Sequence, residues 1–366
     1  MAILVILLWP DLSAVAQPDD PPAEVLTAAQ QRRLDSSLGR ALRWIVSQQH
    51  ADGSFSAPTT GQPAIASFAV LAFLSAGYLP GDGPYGDQID RAIDYVLSCQ
   101  KRDGLLSRNV PESNHVGHGA SHTAMYNHGI AGVMLSEVCG MAAVTTNRRM
   151  THAIERALAF TATIQDRPDR RPIDKGAWRY LHRHPEFDSD LSITSWHLMF
   201  YRSARNAGFD VSSERIDRAV RYVVACFDSR EQCFRYHPHD TCTRRAMSGA
   251  GILALTHGGQ FDHRLARQAG DWLLAHPYRD YNAAADANQW FHYGLFYTVP
   301  AMYMLGGRHW EQFFPVTVDT ILRHQQTDGS WPPEPDDNVR YGNVYTTALV
   351  VTALNTPNQL LPIMQR

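Results

Sequence analysis

Two aspartates separated by one serine are the first candidates for chemistry in this chain of 366 residues. Asp188 and Asp190 stand immediately before a predicted helix that begins at Leu191. Clustered carboxyl groups with a hydrogen-bonding partner can retain one proton, which is what a general acid needs. Either carboxylate could instead cap the helix by accepting hydrogen bonds from the free N–H groups of its first turn. The sequence leaves both interpretations open.

Histidine is the second candidate, since the chain contains 17 of them. His115, His118, His122 and His128 cluster before and within one apolar segment. A His-Glu-x-x-His pair is absent from the sequence, so a metalloprotease site is not expected. We predict His122 and Tyr126 as a proton relay or as polar lining of a cavity mouth.

Aromatic residues at helical spacing are the third candidate. Ring faces can stabilise a cationic ligand or intermediate, although such rings also pack in ordinary cores. The predicted ligand contacts are Trp196, His292, Tyr293, Tyr297 and Tyr345.

Six helix pairs are predicted to position these residues. A helix followed by a polar turn recurs every 50 to 65 residues, most clearly around Gln49, Gln100 and Gln326. A second, more apolar helix follows each turn. The predicted apolar helices cover residues 63–77, 121–140, 191–208, 244–258, 287–306 and 344–355.

The two helices of each pair differ in their surfaces. The first is amphipathic and charged, as in residues 89–96 and 216–223, whereas the second is apolar nearly all round. A helix that is apolar on every side must be buried, and one with a charged face can border water. We therefore predict an all-α fold in which six hairpins close into a barrel, with an open solenoid as the alternative.

The charge of the chain argues against a nucleic-acid partner, and its N-terminal segment favours export. The net charge is −3 and no long Lys/Arg run occurs, so a nucleic-acid partner is not expected. The apolar start of the chain, followed by Ala14 and Ala16, predicts a signal peptide over residues 1–16. A buried N-terminal helix is the alternative, because so short a run cannot span a bilayer. A flexible leader (17–26) and a single domain (27–366) complete the predicted organisation of a periplasmic or extracellular protein.

Two cysteines are predicted to pair in an exported chain. Cys233 and Cys242 flank a short loop, and oxidising compartments favour disulfides that close such loops.

The turn Gln-Gln-Thr-Asp-Gly-Ser-Trp at residues 325–331 resembles the Gln-x-x-x-Gly-x-Trp turn of α/α toroids with prenyltransferase and squalene-oxidase repeats. Segments 125–131, 305–310 and 341–348 are similar to squalene-cyclase-like proteins of planctomycete-type bacteria. The resemblance implies an α/α toroid of six hairpins and an apolar isoprenoid ligand in its centre. Because this fold carries several chemistries, only the site can discriminate between them.

The resemblance also implies residue roles. Squalene-hopene-type cyclases protonate an alkene with an Asp-x-Asp-Asp-Thr motif, of which Asp188 and Asp190 match two positions. Leu191 and Ser192 replace the last two. Asp190 is thereby implied as the proton donor, assisted by Asp188.

Asp240, Cys242 and His292 are similar to the zinc site of protein prenyltransferase β subunits. This implies zinc as an alternative cofactor for a transferase; otherwise no cofactor is expected. Three protein ligands and one open position would suit catalytic zinc, but an oxidised Cys242 cannot bind it. A non-catalytic exported binding module remains a further alternative, and no protein partner is predicted.

Overall fold

Twelve α-helices form two concentric rings in the computed structural model, which describes residues 24–168, 171–281, 290–333 and 337–365. The inner helices are α2 (Ala64–Ser75), α4 (Ala120–Val138), α6 (Leu191–Asn206), α8 (Arg245–His257), α10 (Phe291–Leu305) and α12 (Gly342–Leu354). The outer helices are α1 (Ala28–Ser47), α3 (Gly86–Ser98), α5 (Val144–Gln165), α7 (Ser213–Ala225), α9 (Arg264–Ala275) and α11 (Gly307–Leu322).

The inner ring is closed. Each inner helix packs against the next one along the chain, and α12 packs against α2. The predicted barrel of six hairpins is therefore confirmed, and the open solenoid is wrong.

The inner and outer helices differ in burial as their sequences predict. Every residue of α2 is buried, whereas α3 buries one face that includes Ile89, Ala92, Ile93 and Val96. This spacing of three and four residues is that of an amphipathic helix with one side against a core.

Four glutamines join an outer helix end to the neighbouring outer helix. The side-chain amides of Gln49, Gln100, Gln165 and Gln325 donate to the carbonyls of Gly53, Gly104, Gly176 and Gly329 in their own turns, and to those of Gln88, Ala153, Arg215 and Ser37. The last pair connects the end of α11 to α1. The equivalent of Gln49 is thus Gln325, so the predicted register through Gln326 is wrong by one residue.

Gly329→Ala should destabilise the ring at this junction by at least about 2 kcal/mol. Gly329 has a φ of +99°, and an added Cβ would lie 2.7 Å from the carbonyl oxygen of Arg40 in α1. Urea unfolding monitored by circular dichroism would measure the loss. Gly117→Ala is the matched control, because no atom lies within 4 Å of its added Cβ. Equal stability of the two variants would contradict the expected result.

A β-hairpin and the C-terminal segment complete the described chain. Strands β1 (Phe227–Asp228) and β2 (Cys233–Phe234) pair antiparallel between α7 and α8. At the C-terminal ends of the inner helices, the backbone of Ile363 binds Glu137 and His257. The segment around Ile363 therefore packs against one end of the inner ring.

The predicted signal peptide lies outside the described residues. Of the predicted leader, Val25 and Leu26 pack partly buried against the core. Within the described residues, none of the helices combines the length and apolar character required to cross a bilayer.

Candidate functional site

A cavity opens where the inner helices begin. Its volume is about 250 Å³. Five inner helices and the loops before them line it, and the loop before α8 adds one residue. The lining residues are Gly61, Ala64, Ile65, Phe68, His118, His122, Thr123, Tyr126, Asn127, Ile130, Tyr180, Ser192, Tyr236, Trp290, Tyr293, Tyr341 and Tyr345.

Aromatic rings dominate this wall. Phe68 is part of it and makes edge contacts with Trp196, Phe296 and Tyr345, with ring centroids 5.6 to 5.8 Å apart. The described lining residues include neither aspartate nor glutamate. The cavity is therefore an apolar chamber with hydroxyl, imidazole and amide groups on its surface.

Asp190 lies behind the wall and not on it. The side chain is fully buried and caps α6, its Oδ1 accepting a hydrogen bond of 2.8 Å from the Ile193 N–H. Its Oδ2 accepts a hydrogen bond of 3.0 Å from the hydroxyl of Tyr236, and the Arg179 Nε lies 3.8 Å from the same oxygen. The capping interpretation of the sequence is correct for this residue.

Burial gives Asp190 an unusual proton affinity. It raises the pKa of the carboxyl to about 6, against the opposing effects of Arg179 and of the hydrogen bonds from Ile193 and Tyr236. A carboxyl with this pKa is largely protonated in mildly acidic solution, as a general acid must be.

Asp188 does not share this position. It is half-buried, its backbone N–H lies 3.5 Å from the Asp174 Oδ2, and it does not line the cavity. The two predicted aspartates therefore have different surroundings.

His122 and Tyr126 both lie on the cavity wall, as expected. The His122 ring stacks on Tyr180 with centroids 4.0 Å apart. Burial lowers the pKa of His122 to about 4, helped by the neighbouring His115 and His118. A neutral imidazole at neutral pH suits an aromatic wall.

A series of hydrogen-bonded hydroxyl groups begins at Tyr126. The Tyr126 hydroxyl lies 3.1 Å from the Ser192 Oγ, which lies 2.7 Å from the Tyr293 hydroxyl. Tyr293 also accepts from the Trp196 indole and contacts the Tyr297 hydroxyl. Among the predicted ligand contacts, Tyr293 and Tyr345 reach the cavity, whereas Trp196 and Tyr297 support its wall from behind.

The predicted disulfide is not formed in the structure. Cys233 and Cys242 are both free thiols. Cys233 is buried on β2, where burial raises its pKa to about 12, while Cys242 is exposed in the following loop. The structure therefore places one thiol in the protein interior and the other at its surface.

The predicted zinc ligands do not converge either. Asp240 binds Arg244 and the Cys242 N–H, while the His292 Nε2 lies 2.9 Å from the Tyr281 hydroxyl. His292 is buried and does not line the cavity. Across the described residues, no three His, Cys, Asp or Glu side chains are placed to hold a metal ion.

Sequence reasoning missed several wall residues. Tyr180, Tyr236, Trp290 and Tyr341 all come from the loops that precede inner helices, and Phe68 lies on α2. A signal was available for two of them, since Trp290 and Tyr341 stand immediately before α10 and α12.

Comparison with known proteins gives a fold. The chain matches no protein-family model and no curated protein sequence. Among solved structures it is similar to a variant of the type II terpene cyclase MstE from Scytonema, in complex with its substrate geranylgeranyl dihydroxybenzoate. The TM-score is 0.58 at 14% identity, over 92% of this chain and 100% of that one. The fold is the α/α toroid.

The same toroid occurs in a glycoside hydrolase. An inactive variant of an α-1,6-mannanase of Salegentibacter, in complex with α-1,6-mannotriose, has a TM-score of 0.59 at 10% identity over 89% of this chain and 99% of that one. A protein from Actinoplanes gives 0.54 at 14% identity, over 89% and 99%. At these identities the toroid accommodates more than one chemistry.

Proposed function

We propose that the protein binds an isoprenoid in the aromatic cavity and isomerises it by acid catalysis, with Asp190 as the source of the proton. The observation that carries this proposal is a buried carboxyl with a raised pKa, one hydrogen bond behind an aromatic wall. Protonation of an alkene produces a carbocation, which ring faces such as those of Phe68 and Tyr345 would stabilise.

The absence of a carboxylate from the described lining residues separates this toroid from glycoside hydrolysis. Glycosidases use two carboxyl groups that flank the scissile bond, commonly about 5 to 10 Å apart. Asp190 alone, behind Tyr236, does not supply that pair. Acid catalysis on an apolar ligand therefore fits the wall better than sugar cleavage.

Cavity size favours a short ligand. Sites for small molecules commonly enclose about 300 to 1,000 Å³, and this cavity has about 250 Å³. We therefore propose a short isoprenoid over one of triterpene length. Export from the cytoplasm, as the N-terminal sequence predicts, remains part of the proposal.

Asp190→Asn should abolish conversion of the probes farnesol and geranylgeraniol, with a loss of about 10² to 10⁴-fold in kcat. The amide oxygen of asparagine can still accept from the Ile193 N–H, so the helix cap is retained. Product formation by gas chromatography and mass spectrometry is the measurement. Asp166→Asn is the control, because Asp166 binds Arg215 and Arg218 outside the cavity.

If the protein is instead a non-catalytic binding module, a different result is expected. The parent protein should then retain an apolar molecule through native purification without converting it. Absence of product from both probes with the parent protein would overturn the catalytic proposal.

A further inference from the structure

We propose that the hydroxyl of Tyr236, and not the Asp190 carboxyl itself, is the group that hands the proton to the bound ligand. This inference rests on the proposed function. It starts from a division of the site that the sequence does not reveal. Asp190 is absent from the cavity lining, whereas Tyr236 lines it and touches the Asp190 Oδ2 at 3.0 Å.

Both carboxyl oxygens of Asp190 are occupied. Oδ1 accepts from the Ile193 N–H and Oδ2 meets the Tyr236 hydroxyl. The side chain has no exposed surface in the structure. A ligand in the cavity therefore meets the phenol of Tyr236 before it can meet the carboxyl.

Tyr236 is held firmly against this carboxyl. Its backbone carbonyl accepts from the Leu191 N–H at 2.8 Å, so the loop before α8 is attached to the first residue of α6. Its ring lies at 5.7 Å from the ring of Trp290 and at 5.4 Å from the Arg179 guanidinium carbon. These contacts fix the hydroxyl between the carboxyl and the cavity.

The protonation state of Asp190 sets the direction of the hydrogen bond. When Asp190 is ionised, the Tyr236 hydroxyl donates to Oδ2. When Asp190 is protonated on Oδ2, the carboxyl donates to the phenol oxygen. The phenol hydrogen then turns away from Asp190, toward a ligand in the cavity or toward the Tyr180 hydroxyl at 3.5 Å. Only the protonated form thus presents an acidic hydrogen to a ligand.

The transfer conserves atoms and electrons. The ligand's C=C π pair takes the Tyr236 hydroxyl proton and forms a C–H bond, as the phenol O–H bond breaks. The same oxygen takes the proton of Asp190, so Tyr236 ends neutral and Asp190 ends as a carboxylate. The resulting carbocation later loses a proton to solvent, and a solvent proton returns to Asp190 through the Tyr236 hydroxyl. The overall reaction is an isomerisation without redox change.

Arg179 is placed to stabilise the product side of this step. Its side chain is only 9% exposed, and its Nε lies 3.8 Å from the Asp190 Oδ2. Its cation favours the carboxylate that remains after transfer, which strengthens Asp190 as an acid.

The test compares two tyrosine-to-phenylalanine variants. Tyr236→Phe should lower kcat for farnesol or geranylgeraniol by about 10² to 10⁴-fold while KM changes little, because the ring remains in the wall. Tyr222→Phe is the matched control. It removes another buried hydroxyl, which donates to the Ser189 carbonyl and does not line the cavity, and its kcat should match the parent.

The dependence of kcat on pH shows whether Tyr236 transfers the proton to the ligand or only adjusts the acidity of Asp190. If Tyr236 only adjusts the acidity of Asp190, its loss removes a hydrogen bond that favours the carboxylate, and the profile shifts to higher pH with its plateau kept. That result, or full turnover by Tyr236→Phe alongside an inactive Asp190→Asn, overturns the inference and leaves the proposed function intact. No product from the parent protein would overturn both.

Discussion

Turnover should fall about tenfold for each pH unit above about pH 6, since only protonated Asp190 can supply the proton. Burial raises the pKa of this carboxyl to about 6, and Arg179 limits the rise. The acid form is therefore the active one, and activity is retained below pH 6 and lost as the pH increases. A profile of kcat against pH from 5 to 9 would measure this.

Arg179→Met should move the midpoint of that profile to higher pH. Methionine fills part of the same volume and removes the cation that favours the carboxylate, so the pKa of Asp190 should rise further. A profile that is flat, or that increases toward alkaline pH, would exclude Asp190 as the acid. An unshifted midpoint in Arg179→Met would show that the cation does not act on it.

Glu137→Gln should gain stability over the parent as the pH rises. The difference in free energy of unfolding between variant and parent should increase by about 3 kcal/mol from pH 4 to pH 8. Burial raises the pKa of Glu137 from its ordinary 4.5 to about 7, against its hydrogen bonds with Ser203 and Ile363. Between these values the unfolded chain loses this proton and the folded one keeps it. The parent therefore loses stability as the pH rises from 4.5 to 7.

Glutamine reproduces the protonated glutamic acid at this place. In the parent, the Ser203 hydroxyl donates to the Glu137 Oε1 and the Ile363 N–H donates to Oε2. The glutamine oxygen can still accept from the Ile363 N–H, and its NH₂ can donate to the Ser203 Oγ after that hydroxyl turns. Chemical denaturation of both proteins at pH 4, 6 and 8 is the measurement. Glu155→Gln on the exposed face of α5 is the control and should leave the pH dependence unchanged. A constant difference between the Glu137→Gln variant and the parent at all three values would contradict the result.

The ring could be predicted from the sequence because the buried faces of its helices produce a periodic pattern of apolar residues. The segment at 64–75 is apolar on all sides, and residues 89–96 are apolar on one, which separates inner from outer helices. Closure also left a trace in the Gln-x-x-x-Gly turn at Gln325, although adjacent glutamines hid its register.

The site was harder to predict because several of its residues, including Tyr180, Tyr236 and Trp290, come from irregular loops. Asp190 was a candidate, but its placement behind Tyr236 depends on a contact between residues 46 positions apart. The structure does not bring together the residues of the predicted disulfide and zinc site, for a related reason. Short spacing from Cys233 to Cys242 says nothing of a hairpin that buries one and exposes the other.

The junction between Gln325 and α1 has a consequence for how the chain folds. Its partners, Gln325 and Ser37, are separated by 288 residues, so α1 and α2 leave the ribosome long before their neighbours α11 and α12 exist. Until α12 has been synthesised, the apolar side of α2 that it covers is exposed, and the growing chain is an open arc that is prone to aggregate. The same proximity places the first and last helices side by side. New termini could therefore be cut into another outer loop and the old ends joined, giving a circular permutant in which a different hairpin is made last.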